Sequence, residues 1–162
     1  MLGIFLSFLI TTSEGGYPLS DKIQAFLYGR LQNLKLLEKG YIILPVDIIR
    51  STEEYIVVKD EDSYPDESTI KINPGTKIVL INFKTLETLI GEKPSLIDIE
   101  NFALNFNFES DINKLSSGFK NVFITLSAPE KGTAFLICKT GKGMNLSEYI
   151  KEIKEIYIFK NE

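Results

Sequence analysis

The sequence predicts an α+β fold, a β-rich meander with two or three packed helices in a chain of 162 residues. Two stretches carry apolar residues at helical spacing, and several β-branched runs are bounded by turn residues. Hydrophobic residues make up 44% and charged residues 25% of the chain, as in ordinary globular proteins. No linker is obvious. We therefore expect one compact unit over residues 1–162, or two subdomains over residues 1–75 and 76–162.

The first half of the chain predicts one helix between strands. Residues 3–12 are apolar and predict a buried first strand, since they are too short to span a bilayer and lack the basic flank of a signal peptide. Ser20 stands before apolar positions at helical spacing and Gly40 is suited to end that helix, which gives a helix over residues 20–38. Runs with β-branched residues between polar turns predict strands at residues 41–49, 54–59 and 68–72.

The second half begins with a turn at Pro74 and Gly75 that leads into a β-branched run. That run, residues 77–83, has little polar alternation, which favours a strand buried on both faces, and a short helical pattern follows it up to Gly91. Ser95 and Asp98 have the spacing of a capping box, so a helix is predicted at residues 95–107. The remaining predicted elements are strands at residues 121–127 and 133–139, a helix at residues 145–155 and a strand at residues 157–159.

The chemistry available to the chain is limited. It contains no histidine, which excludes serine triads, Cys-His pairs and the usual histidine zinc sites. Cys138 is the only cysteine and lies in the apolar run AFLIC, so we expect a buried thiol, no intrachain disulfide and a cytoplasmic location. We predict that the protein is not an enzyme and has no cofactor and no metal site.

Two polar segments invite a binding interpretation. The acidic stretch from Asp60 to Glu67 offers several carboxylates to a cation, but it lacks the register of a calcium loop, and a solvated loop is favoured. The segment KTGKG at residues 139–143 contains the glycines and lysines of phosphate loops, but Gly143 is followed by Met144, so a turn is favoured over a P-loop.

A resemblance to a known family comes from the middle of the chain. Leu44-Pro45-Val46-Asp47, Ile72-Asn73-Pro74-Gly75, the strand at residues 77–83 and the Leu-Ile-Gly ending at Gly91 together resemble the CheW-like adaptor domain of chemotaxis systems, over roughly residues 41–139. The resemblance implies two small barrel-like subdomains and a non-catalytic adaptor or scaffold role in signal transduction, with a receptor or kinase as partner. The candidate partner-binding residues are Tyr55, Tyr64, Pro74 and Lys77.

A second architecture stays open. The order of predicted elements across residues 77–160 is also the βαββαβ order of ferredoxin-like domains, which bind small molecules, RNA or proteins. Duplex nucleic acid is disfavoured, because the net charge is −4 and Arg30 and Arg50 are the only arginines. A closed barrel would favour the adaptor, whereas an open sheet with two helices would favour the ferredoxin-like domain. The sequence leaves the oligomeric state open.

Overall fold

The computed structural model describes residues 17–52, 54–60, 62–73, 76–91, 93–107 and 132–160. These residues fall into two compact units, each built from separate stretches of chain. Residues 17–36 and 82–107 form one, which we call the helical unit, and the described parts of residues 37–81 and 132–160 form the other, the sheet unit. The predicted α+β class is confirmed. The predicted strands at residues 3–12 and 121–127 lie outside the described residues, and the proposed boundary near residue 75 stays a prediction.

The helical unit contains α1 (Leu19–Asn33), α2 (Phe83–Ile90) and α3 (Leu96–Leu104). The helix predicted at residues 20–38 ends earlier because Lys35 adopts a positive φ of 57°, which a helix cannot continue through. A short 3-10 turn, Leu37–Lys39, follows, and Gly40 with φ 85° ends it. None of the helices in the described part of the chain has the length and apolar character needed to cross a membrane.

Helix α3 begins with the capping box that its sequence predicts. The Ser95 hydroxyl accepts a hydrogen bond from the Asp98 amide at 3.1 Å, and the Asp98 carboxylate accepts one from the Ser95 amide at 3.0 Å. Two of the amide groups at the helix start are thereby satisfied by side chains from within the same turn. This local arrangement fixes where α3 starts.

Helix α1 packs closely on α3. Gly29 lies against the α3 backbone, and a Cβ placed there would overlap the Glu100 carbonyl oxygen and lie 2.8 Å from the Cβ of Ala103. At the end of α1, the Asn33 side-chain amide donates to the carbonyl oxygens of Ala103 and Leu104 at 3.1 and 2.8 Å. Because the last carbonyls of a helix have no partner within it, Asn33 completes the C-terminal end of α3 from a neighbouring helix.

The sheet unit is built on six strands in the order β3-β2-β1-β5-β6-β4. The neighbouring pairs from β3 across to β6 are antiparallel. The sheet is open, with β3 and β4 as its outermost described strands, so the two barrel-like subdomains expected from the resemblance are not what the described residues form. The strands are β1 (Tyr41–Ser51), β2 (Tyr55–Asp60), β3 (Tyr64–Lys71), β4 (Lys77–Asn82), β5 (Gly132–Thr140) and β6 (Ile150–Lys160).

The prediction of a helix at residues 145–155 is wrong. Helix α4 covers only Leu146–Tyr149, and β6 begins at the next residue. The ferredoxin-like order across residues 77–160 is wrong with it, because that order needs a helix where the structure has a strand. The physical reason lies in β6, whose pairing with β5 shifts register twice and so changes the spacing of its apolar residues.

One face of the sheet carries the main apolar core of this unit. Its buried side chains come from β1, β2, β3, β5, β6 and α4, and β5 contributes on the other face as well, since Ile137 is also fully buried. A strand buried on both faces reads as a continuous apolar run, as AFLIC does. The core residues are Val46, Ile48, Ile56, Val58, Ile70, Ile72, Ala134, Leu136, Cys138, Leu146, Ile150, Ile153, Ile156 and Ile158.

Strand β3 starts four residues earlier than predicted. It runs from Tyr64 through Pro65, within the stretch from Asp60 to Glu67 for which a solvated loop is favoured by the sequence. Proline lacks an amide hydrogen, but at the outer strand of a sheet that hydrogen is not needed for the ladder. The strand pairs with β2 alone among the described strands, so Pro65 is compatible with it.

Candidate functional site

A groove of about 610 Å³ lies between α2 and α3 of the helical unit. Its apolar wall comes from both helices, and its polar groups come from α3. We call it the α2–α3 groove. It is lined by Leu89, Ile90, Asp98, Asn101, Phe102, Asn105 and Phe106.

The apolar wall exists because α2 carries more apolar residues than its core-facing side can bury. Phe83 and Leu86 are almost fully buried, whereas Leu89, one turn further on, keeps 41% of its surface exposed. On α3 and just beyond it, Phe102 and Phe106 lie one turn apart, with ring centroids separated by 5.7 Å. Phe106 is buried and Phe102 is half-buried, so the aromatic pair reaches from the core into the groove.

The polar groups of the groove suit binding better than catalysis. Asp98 is held in the capping box, and the Asn105 side-chain amide donates to the Asn101 carbonyl oxygen at 2.9 Å. Asn101 is exposed, and its side-chain amide can donate and accept. Among the described lining residues Asp98 is the only titratable group, so the groove brings together no acid-base pair.

Of the four residues predicted to bind a partner, the three that the structure describes are not brought together. Tyr55 on β2 is 41% exposed. Tyr64 on β3 is half-buried, its hydroxyl donates to the Gly143 carbonyl oxygen at 3.1 Å, and its ring lies 5.7 Å from that of Tyr149. Lys77 is on β4, at the opposite side of the sheet, and Pro74 lies outside the described residues. Their role in partner binding stays a prediction.

Two carboxylates of the acidic segment, those of Asp60 and Glu67, make contacts that stabilise the local structure. Asp60 accepts hydrogen bonds from the backbone amides of Asp62 and Ser63, which forms the turn between β2 and β3. Glu67 forms an ion pair with Arg50 at 3.3 Å, with both side chains largely exposed. Over the described ranges, no group of three or more carboxylate or cysteine side chains is arranged to hold a metal ion.

Three described side chains with shifted pKa values, those of Tyr41, Cys138 and Glu152, lie in the sheet unit. Burial raises the pKa of the Cys138 thiol to about 12, and burial together with the neighbouring Glu152 raises the pKa of Tyr41 to about 12. Hydrogen bonding from Lys154, then from Tyr41, lowers the pKa of Glu152. These shifts favour a protonated thiol and a protonated phenol, the opposite of what a nucleophile or a base needs. The predicted buried thiol is confirmed.

Sequence reasoning missed the groove although it named some of its residues. Phe102 and Phe106 share one face of the helix predicted at residues 95–107, a spacing that favours the core, and Leu89 and Ile90 belong to the segment that resembles the CheW-like family. The signal that was available is the pair of adjacent apolar residues at the end of α2. Two adjacent helical positions point about 100° apart. Leu89 and Ile90 therefore cannot both lie at the centre of the buried face of α2.

Comparison with protein families, with curated proteins and with solved structures finds no match to this chain.

Proposed function

We propose that this chain is a non-catalytic protein-binding module, an adaptor or scaffold, and that a partner protein binds in the α2–α3 groove. The observation that carries the proposal is the half-open apolar wall formed by Leu89, Ile90 and Phe102 beside the buried Phe106. Exposed contiguous apolar surface is costly in water and commonly marks an interaction site. The groove is therefore apolar surface that the described residues of the helical unit leave uncovered.

The partner that fits this groove is a peptide segment that inserts apolar side chains. Aromatic and aliphatic anchors that enter a concave site contribute most of the binding energy in protein interfaces. The groove offers such anchors four apolar neighbours, and the exposed Asn101 amide can bond the partner backbone. The Asp98 carboxylate accepts a hydrogen bond from the Ser95 amide. It therefore keeps a hydrogen-bond partner when a bound peptide displaces water from the groove.

The proposal is tested by photo-crosslinking from the groove. A benzophenone amino acid at position 89 is expected to form a covalent adduct with one partner protein in cells of the source organism. The matched control places the same residue at position 144, since Met144 is 89% exposed and belongs to the sheet unit. Both positions carry a solvent-exposed apolar side chain in the native protein, so they differ in location rather than in character.

The result that supports the proposal is an adduct specific to position 89 that Phe102→Ser abolishes. Phe102→Ser removes an aromatic wall of the groove from a half-buried position, and circular dichroism checks that the helices persist. The same adducts from positions 89 and 144, or no adduct from position 89, would reject the groove as a partner site. A small-molecule adduct in native mass spectrometry, lost with Phe102→Ser, would replace the adaptor role with ligand binding.

The more specific parts of the sequence-based hypothesis stay predictions. A receptor or kinase partner and a role in signal transduction rest on the CheW-like resemblance, whereas RNA binding rests on the ferredoxin-like order, which the strand β6 contradicts. RNA binding is checked directly, because phosphate contacts make retention on polynucleotide weaken steeply with salt. No retention at low salt would remove that alternative.

A further inference from the structure

Strand β6 contains two β-bulges, and the extra residue in each is a lysine. Between the pairs Thr140 with Ile150 and Lys139 with Glu152, the residue without a partner is Lys151. Between the pairs Cys138 with Ile153 and Ile137 with Glu155, it is Lys154. A bulge turns the extra side chain away from the regular alternation of the strand, and bulges recur beside binding sites for this reason.

Lys151, the residue of the first bulge, lines a polar groove of about 210 Å³ within the sheet unit. The stem of Lys151 lies across Gly141, where an added Cβ would collide with the lysine Cε and lie 3.2 Å from Cγ. Gly141 in turn is held by a hydrogen bond of 2.7 Å from its amide to the Tyr149 carbonyl oxygen. The KTGKG segment thus supplies a flat backbone surface over which the stem of Lys151 extends.

The groove brings a second lysine to the same place. Lys71, the last residue of β3, lines it, and so do the polar residues Thr69, Asn73 and Ser147. In the described part of the chain, neither lysine ammonium group is paired with a carboxylate. Ile70, Ile150 and Ile153 also line the groove, and all three belong to the apolar core of the sheet unit.

The one carboxylate in the groove is already engaged. Glu152 forms an ion pair with Lys154 at 3.0 Å, and Lys154 is the lysine of the second bulge. Lys154, in the second bulge, thus pairs with the charge of Glu152. Lys151, in the first bulge, remains available to the groove. Lys71 and Lys151 leave a local excess of positive charge in a protein whose net charge is −4.

We propose that the sheet unit binds a small phosphate-class anion in this groove, between Lys71 and Lys151. The two ammonium groups supply the charge, and the Thr69, Ser147 and Asn73 side chains supply further hydrogen bonds. At roughly 30 Å³ for each water-sized group, the groove has room for a phosphate group and a few more heavy atoms. The ligand is thus inorganic phosphate or a small phosphomonoester.

The test is a titration of the whole protein with inorganic phosphate at low ionic strength, followed by the amide NMR signals of β3 and β6. Saturable shifts at Lys71 and Lys151 are expected. Lys71→Met and Lys151→Met each keep an apolar stem and remove the charge, and each should weaken binding about fivefold. The matched control is Lys142→Met, since Lys142 is exposed in the same segment but does not line the groove.

A further variant changes position without changing charge. Gly141→Ala pushes the stem of Lys151 aside, and because the colliding atoms are at the flexible end of a side chain, the fold is retained. We expect a loss of phosphate binding intermediate between the wild type and Lys151→Met. Glycerol 3-phosphate distinguishes the two sources: tighter binding than inorganic phosphate indicates a phosphomonoester, and equal binding indicates free phosphate.

Three results would overturn the proposal. These are shifts that do not saturate, an effect of Lys142→Met as large as that of Lys151→Met, and phosphate affinity unchanged in both Lys71→Met and Lys151→Met. Unfolding curves in urea for each variant establish that the titrations compare folded proteins.

Discussion

At Gly29 the helices α1 and α3 approach each other closely, and the lack of a side chain permits that approach. Gly29→Ala would place a methyl group against the Glu100 carbonyl oxygen and the Ala103 Cβ. We expect the free energy of unfolding to fall by about 1–3 kcal/mol, as when volume is forced into a packed contact. Urea unfolding measures the change.

The sign of this effect is informative. In an uncrowded helix interior the same substitution raises stability by about 1 kcal/mol, because alanine is the better helix former. Gln24→Ala in the same helix serves as the control, and a change within about 0.5 kcal/mol is expected for it. A Gly29→Ala protein more stable than the wild type would show that α1 and α3 are not in close contact at this residue.

Cys138 makes stability depend on pH in the alkaline range. Burial raises the pKa of its thiol from 9.0 to about 12, so between these values the unfolded chain loses a proton that the folded chain keeps. The folded state then binds more protons, and stability falls as pH rises. The contribution is fully present below pH 9 and is lost by about pH 12.

Comparison with Cys138→Ala isolates the thiol. The variant leaves a small cavity and is less stable at all pH values, but its unfolding midpoint in urea should fall less steeply from about pH 9 upwards. Tyr41, whose pKa is raised from 10.0 to about 12, contributes to both proteins, because its own burial and Glu152 cause most of that shift and Cys138 is the smallest cause. Parallel curves for the two proteins would mean that Cys138 ionises alike in the folded and unfolded states.

At the scale of the element, β6 explains why a helix was predicted in its place. The residues that face the core are Ile150, Ile153, Ile156 and Ile158, opposite every second residue of β5. A regular strand would space them by two, but each bulge adds a residue and makes the first two intervals three. Apolar residues at intervals of three or four are the signature of a helix, so a bulged strand imitates one.

This account of β6 predicts the effect of a deletion. Without Lys154, every residue from Glu155 onwards keeps its partner on β5, so the variant should fold with the contact between Ile156 and Leu136 intact. The exposed ion pair with Glu152 is lost, at a cost of about 1 kcal/mol or less. NMR cross-strand contacts and urea unfolding measure the outcome.

A matched insertion gives the contrast. One alanine placed between Ile156 and Tyr157 keeps every native side chain but moves the rest of the strand onto the opposite face. It should cost more stability than deletion of Lys154. If the deletion were the more damaging change, Lys154 would be a required part of the ladder rather than the extra residue of a bulge.

At the scale of the whole molecule, local signals were sufficient for the class and for several elements. The capping box at Ser95 and the β-branched run at β1 act within a few residues, so their structures follow from neighbours in the chain. The grouping of residues 17–36 with 82–107 depends on contacts far apart in sequence, such as those of Asn33 with α3. No local pattern encodes such a grouping.

The candidate site was hidden for the same reason. Leu89 and Phe102 fit an apolar helix face, and apolar spacing is the same whether the face is covered or open. Which part of that face remains open is decided by how far the neighbouring helix extends. The spacing of Phe102 therefore predicts a core position, and the structure places this residue, together with Leu89, along a groove.

Strand β3, which ends the described strand order on one side, bears on whether copies of this protein aggregate through their sheet edges. An exposed strand edge is a template on which a second chain can pair, and it can start aggregation. Pro65 interrupts the row of amide donors on β3, and the exposed Asp66 and Glu67 place like charges opposite one another when two copies approach. The proline and the acidic residues, for which the sequence favours a loop, thus disfavour pairing of this edge with the sheet of a second copy.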